Sequence, residues 1–143
     1  MDKYIFDNKV KEMVEKRPRL LALHSDNKAS MTMIKDVEEY YNIKLPDSYK
    51  EYLKQYGGGY FGYIIVYSCD YNGMFYIKKN VAKELVLESA FLPIIDLETG
   101  DLIGFKTLGG KCQNTVALYL HEENELQDLE MDFYDALLKY GLN

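Results

Sequence analysis

Gly57 to Gly62, "GGGYFG", spells a G-x-G-x-x-G, the residue pattern of a loop that cradles nucleotide phosphates. Such a loop works only when it leaves a strand and opens a helix, so that unpaired backbone N–H groups at the helix N-terminus face the anion. Here the order is reversed. A helical pattern precedes the glycines and a strand pattern follows them, so the groups exposed at the junction are carbonyls and the dipole there is negative. These glycines are expected to end a helix in the left-handed conformation that glycine adopts without steric cost, and no nucleotide cofactor is expected.

The other side chains able to do chemistry are His24, His121, Cys69, Cys112 and many carboxylates. His24 falls in a polar loop and reads as a solvated histidine. His121 ends an expected strand beside Glu122 and Glu123, a set that suggests a metal ligand group or a general base. Neighbours on a strand point to opposite faces, which spoils "HEE" as a compact ligand set. The cysteines are far apart, with no C-x-x-C and no nearby histidine pair, so neither a disulfide framework nor a metal site is indicated. Cys69 reads as a small packing residue. No G-x-S-x-G, H-E-x-x-H or kinase-like set occurs.

The elements that would position these residues follow from periodicity. Phe6, Val10, Met13 and Val14 form a narrow stripe of a first, surface-lying helix that Pro18 ends. "LHSDNKAS" is a loop. Ile34, Val37 and Tyr41 share a face of a second helix, capped by Ser30 or Thr32. In "IKLPDSYKEYLKQYGGG", Pro46 and Asp47 suit a helix start, and Tyr49, Tyr52, Leu53 and Tyr56 fall at i, i+3, i+4 and i+7. From Tyr60 the period shortens. "YFGYIIVYSC" reads as a strand covered on both sides, "DYNG" as a turn and "MFYIKK" as the returning partner of a hairpin. "NVAKELVLESA" is open between a short helix and an irregular crossing. "FLPIID", "DLIGFKT" and "TVALYLHE" read as strands joined by the turn "LETG" and the loop "LGGKCQN", and "MDFYDALLKYG" as a closing helix. Helices at both ends with strands between predict an α+β domain: a central antiparallel sheet of five to six strands, with N-terminal helices and a C-terminal helix packed against it.

If the three later strands are consecutive antiparallel neighbours, Asp96, Glu98, Asp101, Glu122, Glu123 and Glu125 gather at one edge of the sheet. Composition gives that edge a meaning. The chain of 143 residues has a formal net charge of −6, which disfavours nucleic acid and anionic membrane surfaces as partners and favours a basic one. Its 14 tyrosines, with no tryptophan, suit either a Tyr-rich sheet or a recognition surface. The N-terminus lacks an apolar leader and no run approaches a membrane span, so a cytoplasmic protein with reduced thiols is expected.

"LPDSYKEYLKQYGGG" resembles the signature of the SUKH superfamily, which includes the fungal SMI/KNR-type cell-wall assembly regulators and many bacterial immunity proteins. Leu45, Pro46, Tyr49, Tyr52, Leu53, Gly58 and Gly59 match in place. Gly57 stands where the family often has Asn, another residue that tolerates the left-handed conformation. "FLPI", "ALYLHEE" and "DFYDALL" resemble its later strands and closing helix, although the family's frequent Trp near the late strand has no counterpart. The resemblance runs from about Met31 onward. It implies one SUKH-like domain over 1–143, with an N-terminal helix and loop over 1–30 and a core over 31–143. It further implies a protein without catalytic residues or cofactor that works by binding. In the bacterial branch the partner is a toxin, often a nuclease; in the fungal branch the role is that of a regulatory adaptor or scaffold for cellular enzymes. The residues expected to meet a basic toxin domain are Asp96, Glu98, Asp101, Glu122 and Glu123, with Tyr60 and Tyr63 as anchors.

Overall fold

In the computed structural model, which describes residues 1–143, helix α1 (Lys3–Lys16) is capped by the Asp2 carboxylate, which accepts from the Tyr4 N–H. A single 3-10 turn (Pro18–Leu21) follows. Ser30 caps helix α2 (Met31–Tyr41) by accepting from the Met33 N–H, and left-handed Asn42 closes it. Helix α3 (Asp47–Tyr56) starts directly after Pro46, buries Tyr49, Tyr52 and Leu53, and stops at Gly57 with φ +87°.

The glycines do more than stop α3. A Cβ on Gly57 would lie 2.3 Å from the carbonyl oxygen of Asp26, and one on Gly59 would lie 2.7 Å from the Cα of Ser25. The chain leaving α3 is thus laid against the His24–Asn27 segment at backbone-to-backbone distance. Strand β1 (Gly59–Phe61) then turns at Gly62 and Tyr63 into strand β2 (Ile64–Val66). The expected hairpin with "MFYIKK" is therefore corrected: the hairpin lies inside "GYFGYIIV". "DYNG" does turn, with the Gly73 N–H bonded to the Asp70 carbonyl at 2.9 Å. The Phe75 N–H, however, is taken by the Asp26 carboxylate at 3.0 Å, and only one parallel bridge joins Ser68 to Tyr76 before a short helix α4 (Ile77–Asn80) begins.

The ambiguous segment is a helix, α5 (Lys83–Ser89). Strands β3 (Phe91–Asp96), β4 (Leu102–Leu108), β5 (Lys111–Cys112), β6 (Thr115–Leu120) and β7 (Glu125–Asp132) complete an antiparallel sheet in the order β1-β2-β3-β4-β6-β7, with β5 paired to the far end of β4. β5 and β7 raise the strand total above the expectation. The last helix runs as α6 (Phe133–Ala136) and continues in a wider π turn, Leu137–Gly141.

Val66, Ile95, Ile103 and Leu118 are in register across four strands and face the core, where Phe105 meets Tyr49 and Phe133. The tyrosines do not form a Tyr-rich sheet, since only Tyr60 and Tyr119 lie in strands. Eight are helix residues, of which Tyr41, Tyr49, Tyr56 and Tyr134 tie elements together through their hydroxyls. Tyr49 donates to the Tyr67 carbonyl, Tyr41 to the Val81 carbonyl, and Tyr134 to Glu51. α1 lies at the surface but buries Phe6 completely, with its ring stacked on Tyr134 at 4.6 Å and on Phe61 at 5.9 Å.

Two outcomes follow from this packing. Phe6→Ala removes the ring that joins α1 to the core, so unfolding free energy should fall by roughly 3–5 kcal/mol in denaturant melts; a change under about 1 kcal/mol would mean that α1 is dispensable. Gly57→Asn keeps a tolerated φ but drives a Cβ into the Asp26 carbonyl, and should cost roughly 1–3 kcal/mol by the same measurement. Neutrality of Gly57→Asn would show that left-handed φ alone selects the residue.

Candidate partner-binding site

The strand register sets Tyr60, Ile65, Asp96, Leu102, Tyr119 and Leu126 in one row across the sheet, on the face opposite Val66 and Ile103. Three connections leave the sheet at the end this row marks: the β1–β2 turn with Tyr63, the loop after Asp96, and the turn His121–Asn124. The acidic residues read from the sequence are thereby brought together. Asp96, Glu98, Asp101, Glu122, Glu123 and Glu125 share one end of the sheet with Tyr60 and Tyr63, and this group is called the lip below.

Local hydrogen bonds hold it. Asp96 Oδ1 accepts from the Glu98 N–H at 2.7 Å, which supports Glu98 at φ +60°. Glu98 in turn accepts from the Tyr60 hydroxyl at 3.2 Å. Asp101 Oδ1 accepts from the His121 backbone N–H at 3.0 Å and lies 2.7 Å from its Nδ1. Gly100 sits against the His121 ring, where a Cβ would come within 2.7 Å of Cε1. The hydrogen bond to Asp101, helped by the charges of Glu122 and Glu123, raises the His121 pKa above its ordinary 6.5, and the same bond lowers Asp101 below the usual carboxylate value. "HEE" lies in a turn rather than at a strand end, so alternation of faces does not apply to it. His121 is instead committed to Asp101, while Glu122 and Glu123 stay exposed.

Elsewhere the reactive residue types are engaged structurally. His24 Nε2 lies 3.1 Å from Asp26 Oδ1, and Ser68 Oγ donates to Asp26 Oδ2 at 2.6 Å. Both side chains bond to the carboxylate rather than to each other, so the base–nucleophile contact of a serine triad is not formed. Burial pushes the thiols of Cys69 and Cys112 up to about 12, far from the thiolate range. No group of three or more His, Cys, Asp or Glu side chains is arranged to hold a metal ion. No helix is long and apolar enough to cross a membrane.

Beside the lip, on the same sheet face, lies a groove of about 410 Å³ that sequence reasoning missed. Leu102, Tyr119 and Leu126 from the row, Phe91 and Pro93 from β3, and Leu85 from α5 line it. Tyr119 joins the groove to the lip, donating to Oδ1 of Asn124 at 2.7 Å in the turn that carries Glu122 and Glu123. The only advance signal was the spacing of Ala82, Leu85 and Ser89 at i, i+3 and i+7, which on a helix share one side.

Comparison with curated proteins gives no match. The family model described as SMI1-KNR4 cell-wall, SUKH_6, matches residues 31–137. That span runs from the first residue of α2 to the first residue of the closing π turn, and so contains the whole sheet, the lip and the groove. On this match the chain belongs to the SMI1-KNR4 cell-wall family SUKH_6, within the SUKH superfamily.

Proposed function

We propose that the protein is a non-catalytic binding module of the immunity type, which neutralises a basic toxin domain by covering its active site or an adjoining surface. The observation that carries this reading is the lip: carboxylates from two separate connections, the β3–β4 loop and the β6–β7 turn, lie at one end of the sheet, and Glu122 and Glu123 have no ion-pair partner. Like charges held together cost stability, and a basic partner relieves that cost while being steered to its place. Nuclease toxins bind phosphate backbones and present such a basic surface. Tyr63, largely exposed on the β1–β2 turn, and Tyr60, held by Glu98, supply rings at the edge of the same site. A second role on the same fold, an adaptor for cellular enzymes, is favoured by the cell-wall description of the matching family.

Co-expression with the product of the adjacent gene tests the reading directly. Relief of growth arrest together with co-purification is the expected result; an adjacent product that is harmless, or toxic whether or not this protein is present, sinks the immunity role. Within the complex, the double variant Glu98→Lys/Glu123→Lys should slow association about tenfold at low salt and flatten its salt dependence. Unchanged association kinetics would remove the lip from the interface.

His121 makes the lip sensitive to pH. Below its raised pKa the imidazolium cancels one negative charge; above it the ring is neutral and the lip gains one unit of net negative charge. Association with a basic partner should therefore speed up as pH rises through the His121 value. Asp101→Asn keeps an acceptor but removes the carboxylate charge that makes this bond favour the imidazolium, so the step should move down toward 6.5 in both a ring-proton NMR titration and stopped-flow association. The same shift stabilises the folded state below about pH 6.5, and that contribution fades as pH rises through the folded-state value. A step at an unchanged pH in Asp101→Asn would mean that Asp101 does not set the His121 titration.

A further inference from the structure

We infer that the groove between α5 and the sheet receives a basic polypeptide segment carrying one or two large apolar side chains, which seat on Leu102, Tyr119 and Leu126 while its cations meet the lip. This rests on the reading of the protein as a binding module and names the chemistry of what is bound. The volume, about 410 Å³, lies within the roughly 300–1,000 Å³ of sites that take a small apolar group. Eight of its twelve lining residues are hydrophobic, and the polar Asn80, Ser89 and Asn124 are already bonded to Tyr76, Leu85 and Tyr119, which leaves the floor apolar. A concavity of about 610 Å³ beside the end of α2 is larger, but only one of its eight lining residues is hydrophobic and charges of both signs line it, so it has no comparable preference for an anchor.

The charge around the apolar floor selects the occupant. Asp96, Glu98, Glu122 and Glu123 stand at the lip end, and Glu88 lies on α5 within one turn of the groove residues Leu85 and Ser89. The two lysines nearby are already engaged: Lys106 pairs with Asp128 at 2.8 Å, and Lys83 lies over the Tyr40 ring at 5.3 Å. An acyl chain with an anionic head, or an acidic peptide, would meet repulsion at the lip end. The groove is also open along α5, where Leu85 remains 62% exposed although it lines the site. A segment lying across it would cover that leucine; a compact small molecule would leave it wet.

The test is an NMR titration of the ¹⁵N-labelled full chain with three blocked hexapeptides, KRLFKR, EDLFED and KRAAKR, and with N-acetyl-phenylalaninamide. Saturable shifts confined to Lys83–Ser89, Leu102, Tyr119, Asn124 and Leu126 are expected with KRLFKR, at least tenfold weaker with each other probe, and weakened by salt. Leu85→Ser, an exposed change that leaves the amide spectrum otherwise intact, should weaken KRLFKR at least fivefold. Leu87→Ser, two residues on and so on another side of α5, should not. Equal binding of EDLFED, equal binding of the single amino-acid amide, shifts mapping elsewhere, no binding at millimolar peptide, or an unaltered Leu85→Ser would each overturn the proposal. Failure of wild-type protein to rescue cells from the adjacent gene product sinks the immunity role alone, because the peptide titration decides the groove without reference to any toxin.

Discussion

The buried carboxylate of Asp26 is the joint that the rest of the fold hangs from. It accepts from the Ser68 hydroxyl and the Phe75 N–H, approaches His24, and fills the space beside Gly73, where a Cβ would come within 2.4 Å of it. The Asp26 N–H meanwhile donates to the Gly58 carbonyl at 3.1 Å. Four stretches of chain distant in sequence are thereby fixed to one another: the loop after α1, the glycine triplet, the end of β2 and the turn before α4. A carboxylate removed from water is costly unless each oxygen finds donors, and here both do. That demand explains why the segment after β2 bends inward to deliver the Phe75 N–H instead of pairing as a strand. It also explains Gly57 and Gly59, since the chain leaving α3 must pass within van der Waals range of the backbone that carries Asp26, while Gly58 lies as close to Ser68.

With β1 placed by this joint, the aromatic residues complete the core. Phe6, Tyr52, Tyr56 and Phe61 meet around the end of α3, and Tyr49, Phe105 and Phe133 meet over the sheet. Tyrosine suits this role better than phenylalanine at several sites because its hydroxyl reaches a carbonyl or carboxylate across the packing layer. Tyr56 reaches Asp7 on α1, and Tyr134 reaches Glu51 on α3. The N-terminal helix, outside the span of the family match, is thus bound by the buried Phe6 and Val10, by the Tyr56 hydroxyl and by Lys3, which donates to Gln55 on α3.

What could be read from the sequence was whatever one element carries by itself. The three N-terminal helices were legible because caps, Pro46, Gly57 and the apolar periods agree locally. The placing of Asp96, Asp101 and Glu123 at one end was legible because three consecutive antiparallel strands put alternate connections together. β7 was not, for a definite reason: its apolar residues Leu126, Leu129 and Met131 change parity where a bulge opposite Thr115–Ala117 and the positive φ of Glu130 shift the register. The false hairpin had a similar cause, since "DYNG" is a true turn whose following N–H is claimed by Asp26, far away in sequence. The groove was illegible because six elements, α4, α5, β3, β4, β6 and β7, contribute to it, each with only one or two side chains.

The lip and the groove are consequences of one register. Tyr60, Asp96, Leu102, Tyr119 and Leu126 share a sheet face because pairing is in step from β1 to β7, so a slip of one residue in β4 would carry Leu102 to the core side and separate the acidic end from the apolar floor. The Pro93–Ile95 bulge is what keeps this step. Proline cannot donate to the ladder, and the extra residue lets Ile95 pair with Ile103 while Pro93 stays opposite Gly104. Gly104 is required at that crossing, since a Cβ would come within 2.1 Å of the Leu92 carbonyl oxygen. Residues with no charge and no exposed side chain therefore decide whether charge and apolar surface adjoin, and in the proposed binding role substitutions at Gly104 would bear on recognition as directly as substitutions in the lip.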